Sequence, residues 1–434
     1  MPFTLRAART TTALLVWLVT IPAAADAQDA IADIKRELAA LRAEVQQLRG
    51  ELDVLKREAP AAPASLEILQ TQVAELAQTR VESTSRAPVK LFGTVHGHFF
   101  TNSGNANWLD IPNLTLPPAT PTSGTTGATL RQTRIGLTVD APRLGALKTS
   151  GVVAMDFFGG VPGFQTGQVM GLARLLVGYA RIEGERMAVE VGQDQMILAP
   201  RDPTSLAGFA FPLLFRSGNL YLRVPQARVE FQVAGHLRAT GGIVAPIGGD
   251  FTGTDYLFVP PALGGERSRR PGVQARIAYV NGRPDAVRFV DVGVSGHAGW
   301  EQQPTELTNS WAGAFDFAAR RDWFGTAGEL FAGDNADAFG GGLGLNARSA
   351  GGWAEVQVYP SQRLRLTTGF GVDDLREEQK FALPRRQNRS VYSGLMFSLT
   401  PEVSAGFEYR ALRTLSGQAS QTNHHFDWVL AHTF

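Results

Sequence analysis

His96 and His98 are spaced to turn two imidazoles to one side of a strand, where both could reach one metal ion, and His425 lies on the segment expected to neighbour them. No carboxylate or Cys motif accompanies the pair. The pattern therefore reads as a solvated histidine patch rather than a metal site, and no cofactor is expected. A larger set consists of arginines and carboxylates on alternating segments. If Ile135, Leu137 and Val139 take one face, Arg134 takes the other. The same step gathers Arg228, Arg276, Arg365 and Arg410 with Asp156, Glu190, Glu230, Asp291, Asp316, Glu329 and Glu408 on the polar side. Arg174 is ambiguous, because residues 172–177 are apolar on both faces. Such groups make no bonds to a substrate. They either pair across strands and brace a wall, or face a solute and sort it by charge.

A third set sits in a loop predicted over residues 195–217. Asp194, Arg201, Asp202 and Arg216 flank the run Ala207-Gly208-Phe209-Ala210-Phe211-Pro212-Leu213-Leu214-Phe215, which is unusually apolar for a connection. Exposed to water, that run would be an aggregation hazard. It is expected either to fold into the protein and narrow an interior or to pack on a neighbouring subunit. No phosphate loop or nucleophile motif is present, and the absence of Cys removes thiol chemistry and disulfides together. No enzymatic activity is expected.

These residues need a scaffold, and period two supplies it. From Lys90 onward, segments of about ten residues alternate, as in Ala227, Val229, Phe231 and Val233 against Gln226, Arg228, Glu230 and Gln232. A secreted β-sandwich would alternate too. The connections discriminate, since tight links near 141–143, 184, 234–235, 281–283, 321–322, 360–361 and 401–402 take turns with longer stretches at 101–127, 159–168, 195–217, 248–270, 301–307, 334–347, 374–387 and 415–419. Short turns on one side and long loops on the other predict an all-β transmembrane barrel of about 16 antiparallel strands. Phe426, Trp428, Leu430, His432 and Phe434 share one face of the last strand, as an outward face reaching the aromatic girdle would.

Ahead of the barrel, residues 1–27 read as a signal peptide: Arg6 and Arg9 precede a short apolar run, and Ala25-Asp26-Ala27 offers a cleavage site. The run is too short for a transmembrane anchor. Residues 28–59 carry an a/d seam of Ile31, Ile34, Leu38, Leu41, Val45, Leu48, Leu52 and Leu55. Lys35, Arg42, Arg49 and Lys56 occupy e, and Glu37, Glu44, Glu51 and Glu58 occupy g. Parallel pairing sets Glu37 on Arg42, Glu44 on Arg49 and Glu51 on Lys56, whereas antiparallel pairing sets Glu on Glu. The pattern selects a parallel α-helical coiled coil and a homo-oligomer, over the alternative of one amphipathic helix packed on its own domain. Residues 60–88 form a linker with a weaker helical segment at Leu66, Leu69, Val73 and Leu76, after the breakers Pro60 and Pro63. The barrel is assigned to 89–434.

The balance of 41 basic against 40 acidic residues gives no electrostatic reason for a nucleic-acid partner, and 19% charged residues is too few for a hyper-charged chain. Mean hydropathy of -0.07 suits a soluble protein. It suits a barrel equally, because the apolar outside and wet inside cancel.

Together these features resemble trimeric outer-membrane porins, most of all the DcaP-like porins with their N-terminal coiled coil. Val89-Lys90-Leu91-Phe92-Gly93 is similar to the family's first strand and Arg131-Gln132-Thr133-Arg134-Ile135-Gly136-Leu137 to its second. Leu144-Gly145-Ala146-Leu147-Lys148 with Met155-Asp156-Phe157-Phe158-Gly159, and Val191-Gly192-Gln193-Asp194, resemble the next elements. Gly328-Glu329-Leu330-Phe331-Ala332-Gly333 and Gly351-Gly352-Trp353-Ala354-Glu355 resemble later ones. The resemblance implies a Gram-negative outer-membrane trimer, in contact with lipid, that passes small hydrophilic and often anionic solutes by diffusion, with the coil in the periplasm. In that setting the polar-side charges become pore-lining residues and the 195–217 loop becomes the constriction. A barrel anchoring a periplasmic spacer to the cell wall is the alternative reading, and a hydrolase with converging Ser, His and Asp, or with an acidic pair, is a third.

Overall fold

The structure, a computed structural model, describes residues 88–434 apart from 118–123, 161–170, 248–261 and positions 285, 377, 381 and 418. The expected signal peptide, coiled coil and most of the expected linker lie outside the described residues. Seventeen strands follow: β1 (Val89–Asn102), β2 (Thr125–Thr129), β3 (Arg134–Leu144), β4 (Leu147–Asp156), β5 (Arg174–Glu183), β6 (Met187–Gln195), β7 (Arg223–Ala234), β8 (Leu237–Val244) and β9 (Gly272–Asn281). After them come β10 (Arg288–Gln302), β11 (Leu307–Arg321), β12 (Phe324–Asp334), β13 (Arg348–Ser361), β14 (Leu364–Leu375), β15 (Gln387–Ser398), β16 (Val403–Ser416) and β17 (Ala419–Thr433). Consecutive strands from β3 onward pair antiparallel, and β1 closes the ring on β17 with Phe99 opposite Trp428.

Seventeen segments make sixteen staves. β1 pairs with β3 along its first half, Phe92 opposite Gly136, and with β2 along its second, Phe99 opposite Ala128. β2 and β3 are thus two halves of one stave, interrupted at Leu130–Thr133. The second strand expected to start at Arg131 begins instead at Arg134. The break turns Arg131, Gln132 and Thr133 into the protein, where all three are buried.

Period two sorts the side chains as the pattern requires. Val153, Met155, Phe99, Trp428 and Leu430 are exposed on the outer face, whereas Asp156, Glu190, Asp316 and Asp427 are buried on the inner one. Outer aromatics meet across strands, with Phe99 and Phe407 rings 5.7 and 5.4 Å from that of Trp428. Such a girdle is what a barrel offers to an interfacial layer. Arg174 and Arg181 are an odd seven residues apart on β5, so strict alternation would send them to opposite faces. A bulge restores both to the inside: Ala154 faces Val177 and Met155 faces Leu175, which skips Leu176.

Two turn assignments change. The link expected near 141–143 is a bulge, and the chain reverses at Gly145, whose φ of +63° suits a residue without Cβ. Two connections expected to be long are short, since only four residues separate β10 from β11 and two separate β16 from β17.

Candidate channel constriction

The connection between β6 and β7, residues 196–222, runs across the inside of the ring and is tied to wall strands on many sides. Gln274 of β9 accepts the N–H groups of Ile197 (2.8 Å) and Leu198 (3.0 Å), and Ser295 of β10 that of Ala199 (3.0 Å). Glu355 of β13 accepts from Thr204 N–H (2.8 Å), and Glu408 of β16 from Ser205 Oγ (2.6 Å). From the strand break, Gln132 accepts from Phe209 (2.8 Å) and Ala210 (3.1 Å). Asn388 of β15 donates to Arg216 O and Ser217 Oγ, both at 2.8 Å. Each tie satisfies a backbone or polar group that would otherwise be stranded away from water.

The apolar run is absorbed within the same chain. Leu213 and Leu214 pack with Trp353 and Tyr392, and Phe211 and Phe215 pack with Ile111, Phe158 and Tyr221. That disposes of the alternative in which the run covers a neighbouring subunit. At the far end of the loop, Gly218 has φ +101° and rests against bare backbone, so an added Cβ would stand 2.1 Å from Gly352 O.

Around the loop, the charged residues form two clusters. Arg181 holds Glu190 (3.2 Å) and Glu230 (2.7 Å); Arg228 shares Glu190 (3.0 Å) and adds Asp194 (3.0 Å), which also meets Arg223 (3.2 Å). Arg201, from the loop, holds Asp291 (2.6 Å) and Asp316 (2.9 Å), and Arg276 binds the same two carboxylates, at 2.8 Å and 2.9 Å. Arg174 forms a separate pair with Asp156 (2.7 Å). Breaking such a pair costs about 3–5 kcal/mol because it strands a buried charge. These arginines therefore brace the wall whatever else they do.

Arg134, Arg365 and Arg410 differ, since no carboxylate lies within ion-pair distance of them among the described residues. Arg134 donates to Phe209 O (3.1 Å) and lies 4.3 Å over the Phe209 ring. Arg365 reaches Met396 Sδ (3.2 Å), and Arg410, almost fully buried, donates to Ser390 Oγ (2.8 Å).

Of the four predicted loop charges, Arg201, Asp202 and Arg216 sit on the 196–222 connection. Asp194 belongs to the end of β6, and Arg216 packs against Gly344 and Phe215. Arg181 and Arg223, not singled out in the sequence, complete the first cluster. The β5 bulge concealed Arg181. Gln132, Gln274 and Asn388, three amides that hold the loop, carry no sequence signal at all.

Asp202 is exposed toward the interior yet ringed by protein, and this desolvation raises its carboxyl to about 6 against the pull of Arg223. A raised carboxyl is neutral below that value and charged above it. Acidification from pH 7.5 to 5 should therefore remove one negative charge beside the loop and shift the reversal potential toward anions. Asp202→Asn should show the acidic value at both pH values; an unchanged response in that variant would assign the titration elsewhere.

The histidines also depart from expectation. His96, His98 and His425 are buried rather than solvated, and a carboxylate does accompany them: Asp427 lies 2.9 Å from His98 Nδ1, and His98 Nε2 lies 3.2 Å from His96 Nδ1. His96 stacks on Phe209 at 4.3 Å, joining the β1–β17 seam to the loop. Among the described residues no group of three donors is placed to hold a metal.

No protein-family model matches the chain, and no curated protein matches it. Solved structures do. The outer-membrane channel DcaP of Acinetobacter baumannii superposes with a TM-score of 0.64 at 14% identity, over 81% of this chain and 99% of that one. The fold is a porin fold. A second porin, described as anion-selective, from Comamonas acidovorans, matches with a TM-score of 0.55 at 12% identity, over 80% of this chain and all of its own. The expected DcaP-like architecture of sixteen staves is thus present. The long connections of the porin fold lie on the side where residues 196–222 enter the ring.

Proposed function

We propose that this chain is an outer-membrane porin through which small hydrophilic solutes, anions preferred, cross by passive diffusion. The observation that carries the reading is a layering of charge. In Arg174–Asp156, Arg181–Glu190 and Arg201–Asp316 the side-chain exposures are 28%, 23% and 16% for the cations against 0%, 2% and 0% for the carboxylates. At these three pairs a solute meets guanidinium first, with a neutralising carboxylate behind it, whereas Glu230 at 33%, Asp194 at 18% and Asp291 at 14% stand level with or ahead of their arginines. Arg134 and Arg365 add positive charge with no carboxylate within ion-pair distance among the described residues, and the loop narrows the space in which that field acts. Anion selectivity in the Comamonas porin agrees in sign. A barrel serving only as an anchor has no use for a loop strung across its interior.

Three copies, joined by the seam Ile31, Ile34, Leu38, Leu41, Val45, Leu48, Leu52 and Leu55 in the periplasm, complete the proposal. Residues 1–27 are its export signal, 28–59 its coil, 60–88 its linker and 89–434 its membrane domain. In planar bilayers across a KCl gradient, the protein should give a reversal potential of the sign set by chloride. Replacing Arg134 and Arg365 by Gln should reduce that potential without lowering thermal stability, since neither holds a carboxylate and Gln132 duplicates the tether on Phe209. Potassium preference in the unmodified protein overturns the anion assignment, and a folded barrel that never conducts overturns the porin assignment.

A further inference from the structure

We infer that the outer rim of β15 and β16 binds phosphate groups of an outer-leaflet lipid, with Arg389 and Arg413 as the ligands. The inference rests on the outer-membrane assignment above. Arg389 and Arg413 are register partners on adjacent antiparallel strands, and both lie on the outward face. Directly opposite side chains on such a pair have Cβ atoms about 5 Å apart, and two like charges at that separation repel. Most arginines described so far resolve their charge against a carboxylate; among the described residues, this pair has none within ion-pair distance. Arg413 donates from Nε to Ser420 Oγ, which leans its head toward β17 and leaves it without a countercharge.

Depth supplies the identity of the missing anion. β15 begins after the long 376–386 connection and β16 ends at the short loop before β17, so both arginines lie near the ends of the strands on the long-connection side. Down the wall the outward pairs are Val391 with Ala411, Ser393 with Tyr409 and Leu395 with Phe407, of which Val391, Leu395 and Phe407 are exposed apolar residues of the belt. The two guanidiniums therefore stand at the upper edge of the hydrocarbon-facing band, the level at which headgroup phosphates lie. Arg is suited to that ligand because its planar fork grips phosphate oxygens in pairs. Elsewhere on the long-connection rim, the outward Arg348 is already neutralised by Asp334 at 2.9 Å. A soluble anion at this height would have to compete with a lipid phosphate held there by its own acyl chains.

Native mass spectrometry of the full-length, delipidated protein tests this with three probes: bisphosphorylated lipid A, the same lipid with its phosphates removed, and inorganic phosphate. The unmodified chain should retain the phosphorylated lipid, and removing the phosphates should weaken retention about thirtyfold, the effect of two cations at a membrane surface. Arg389→Gln with Arg413→Gln should lose the same factor while conducting normally in bilayers, which reports an intact barrel. Equal retention of both lipids by the unmodified chain overturns the inference, with no variant needed. Displacement of the lipid by equimolar inorganic phosphate overturns it in favour of a free-anion site. Dissociation of the oligomer in the double variant with undiminished lipid retention overturns it in favour of a contact between copies. Conductance without any lipid A retention leaves the porin assignment standing and this one fallen; a chain that enters no bilayer takes both down.

Discussion

A chain in which residues 207–215 are replaced by a Gly-Ser linker of equal length is expected to pass severalfold more current per opening than the intact chain. The excised run carries the buried side chains Phe211, Leu213, Leu214 and Phe215, which fill interior space beside Phe158, Tyr221, Trp353 and Tyr392. It also carries the backbone that Gln132 and Arg174 hold on the β3 to β5 side. Without these groups the remaining loop loses the side chains that fill the ring and its ties on the β3 to β5 side, and keeps those to β9, β10, β13, β15 and β16. Conductance is set by the narrowest cross-section, so the change falls on current rather than on ring closure, which strand pairing supplies. Loss of the aromatic packing should also lower the unfolding midpoint, since each large buried side chain removed from such a cluster costs about 2–5 kcal/mol. Single-channel recording at matched salt decides the matter. Unchanged conductance would mean that some other segment limits flow.

The second large effect concerns one atom. Gly218→Ala is expected to destabilise the folded chain by about 3 kcal/mol or more, combining left-handed backbone strain with a clash that backbone cannot relieve. A Cβ there would stand 2.1 Å from Gly352 O and 2.8 Å from Val372 O. From the opposite side, a Cβ at Gly371 would stand 2.1 Å from Ser217 O, so both partners of the contact need to be bare. The loop's return leg is in this way seated on β13 and β14 without any side chain between them. Urea titration of the refolded protein in detergent, followed by tryptophan fluorescence, measures the loss. Gly241→Ala is the control, because a Cβ there meets nothing within 4 Å. Equal midpoints for the two variants would show that the loop tolerates displacement from its seat.

What could be read from the sequence follows the physics of each feature. Staves were legible because a strand with one wet and one apolar face writes its orientation into every second residue, as Val153 and Met155 do against Asp156. The closing strand was legible for the same reason. Alternation failed where the chain departs from period two, at the β5 bulge that brings Arg181 inside and at the break that turns Gln132 inward. Loop seating was hidden for a different cause: Gln274 is 77 residues from Ile197 and Glu408 is 203 from Ser205, and an amide or carboxylate in a strand looks the same whether it faces solute or holds a loop. Asp427 was missed beside the histidines although its strand was expected to neighbour theirs, because the register of β1 on β17, which decides the residues that meet His98, is written in neither strand.

That closure bears on the order in which the molecule is built. Thr94 and Thr433 meet across 339 residues of chain, and joining ends so far apart costs roughly 5 kcal/mol of loop entropy before any contact is gained. Pairing between β1 and β17 is therefore a late event, since every other stave is joined to a neighbour close in sequence. The buried line Asp427, His98, His96 and Phe209 forms across this junction and ends on the loop inside. On that order of events, the histidine line sets how long a finished barrel stays shut more than how fast it forms.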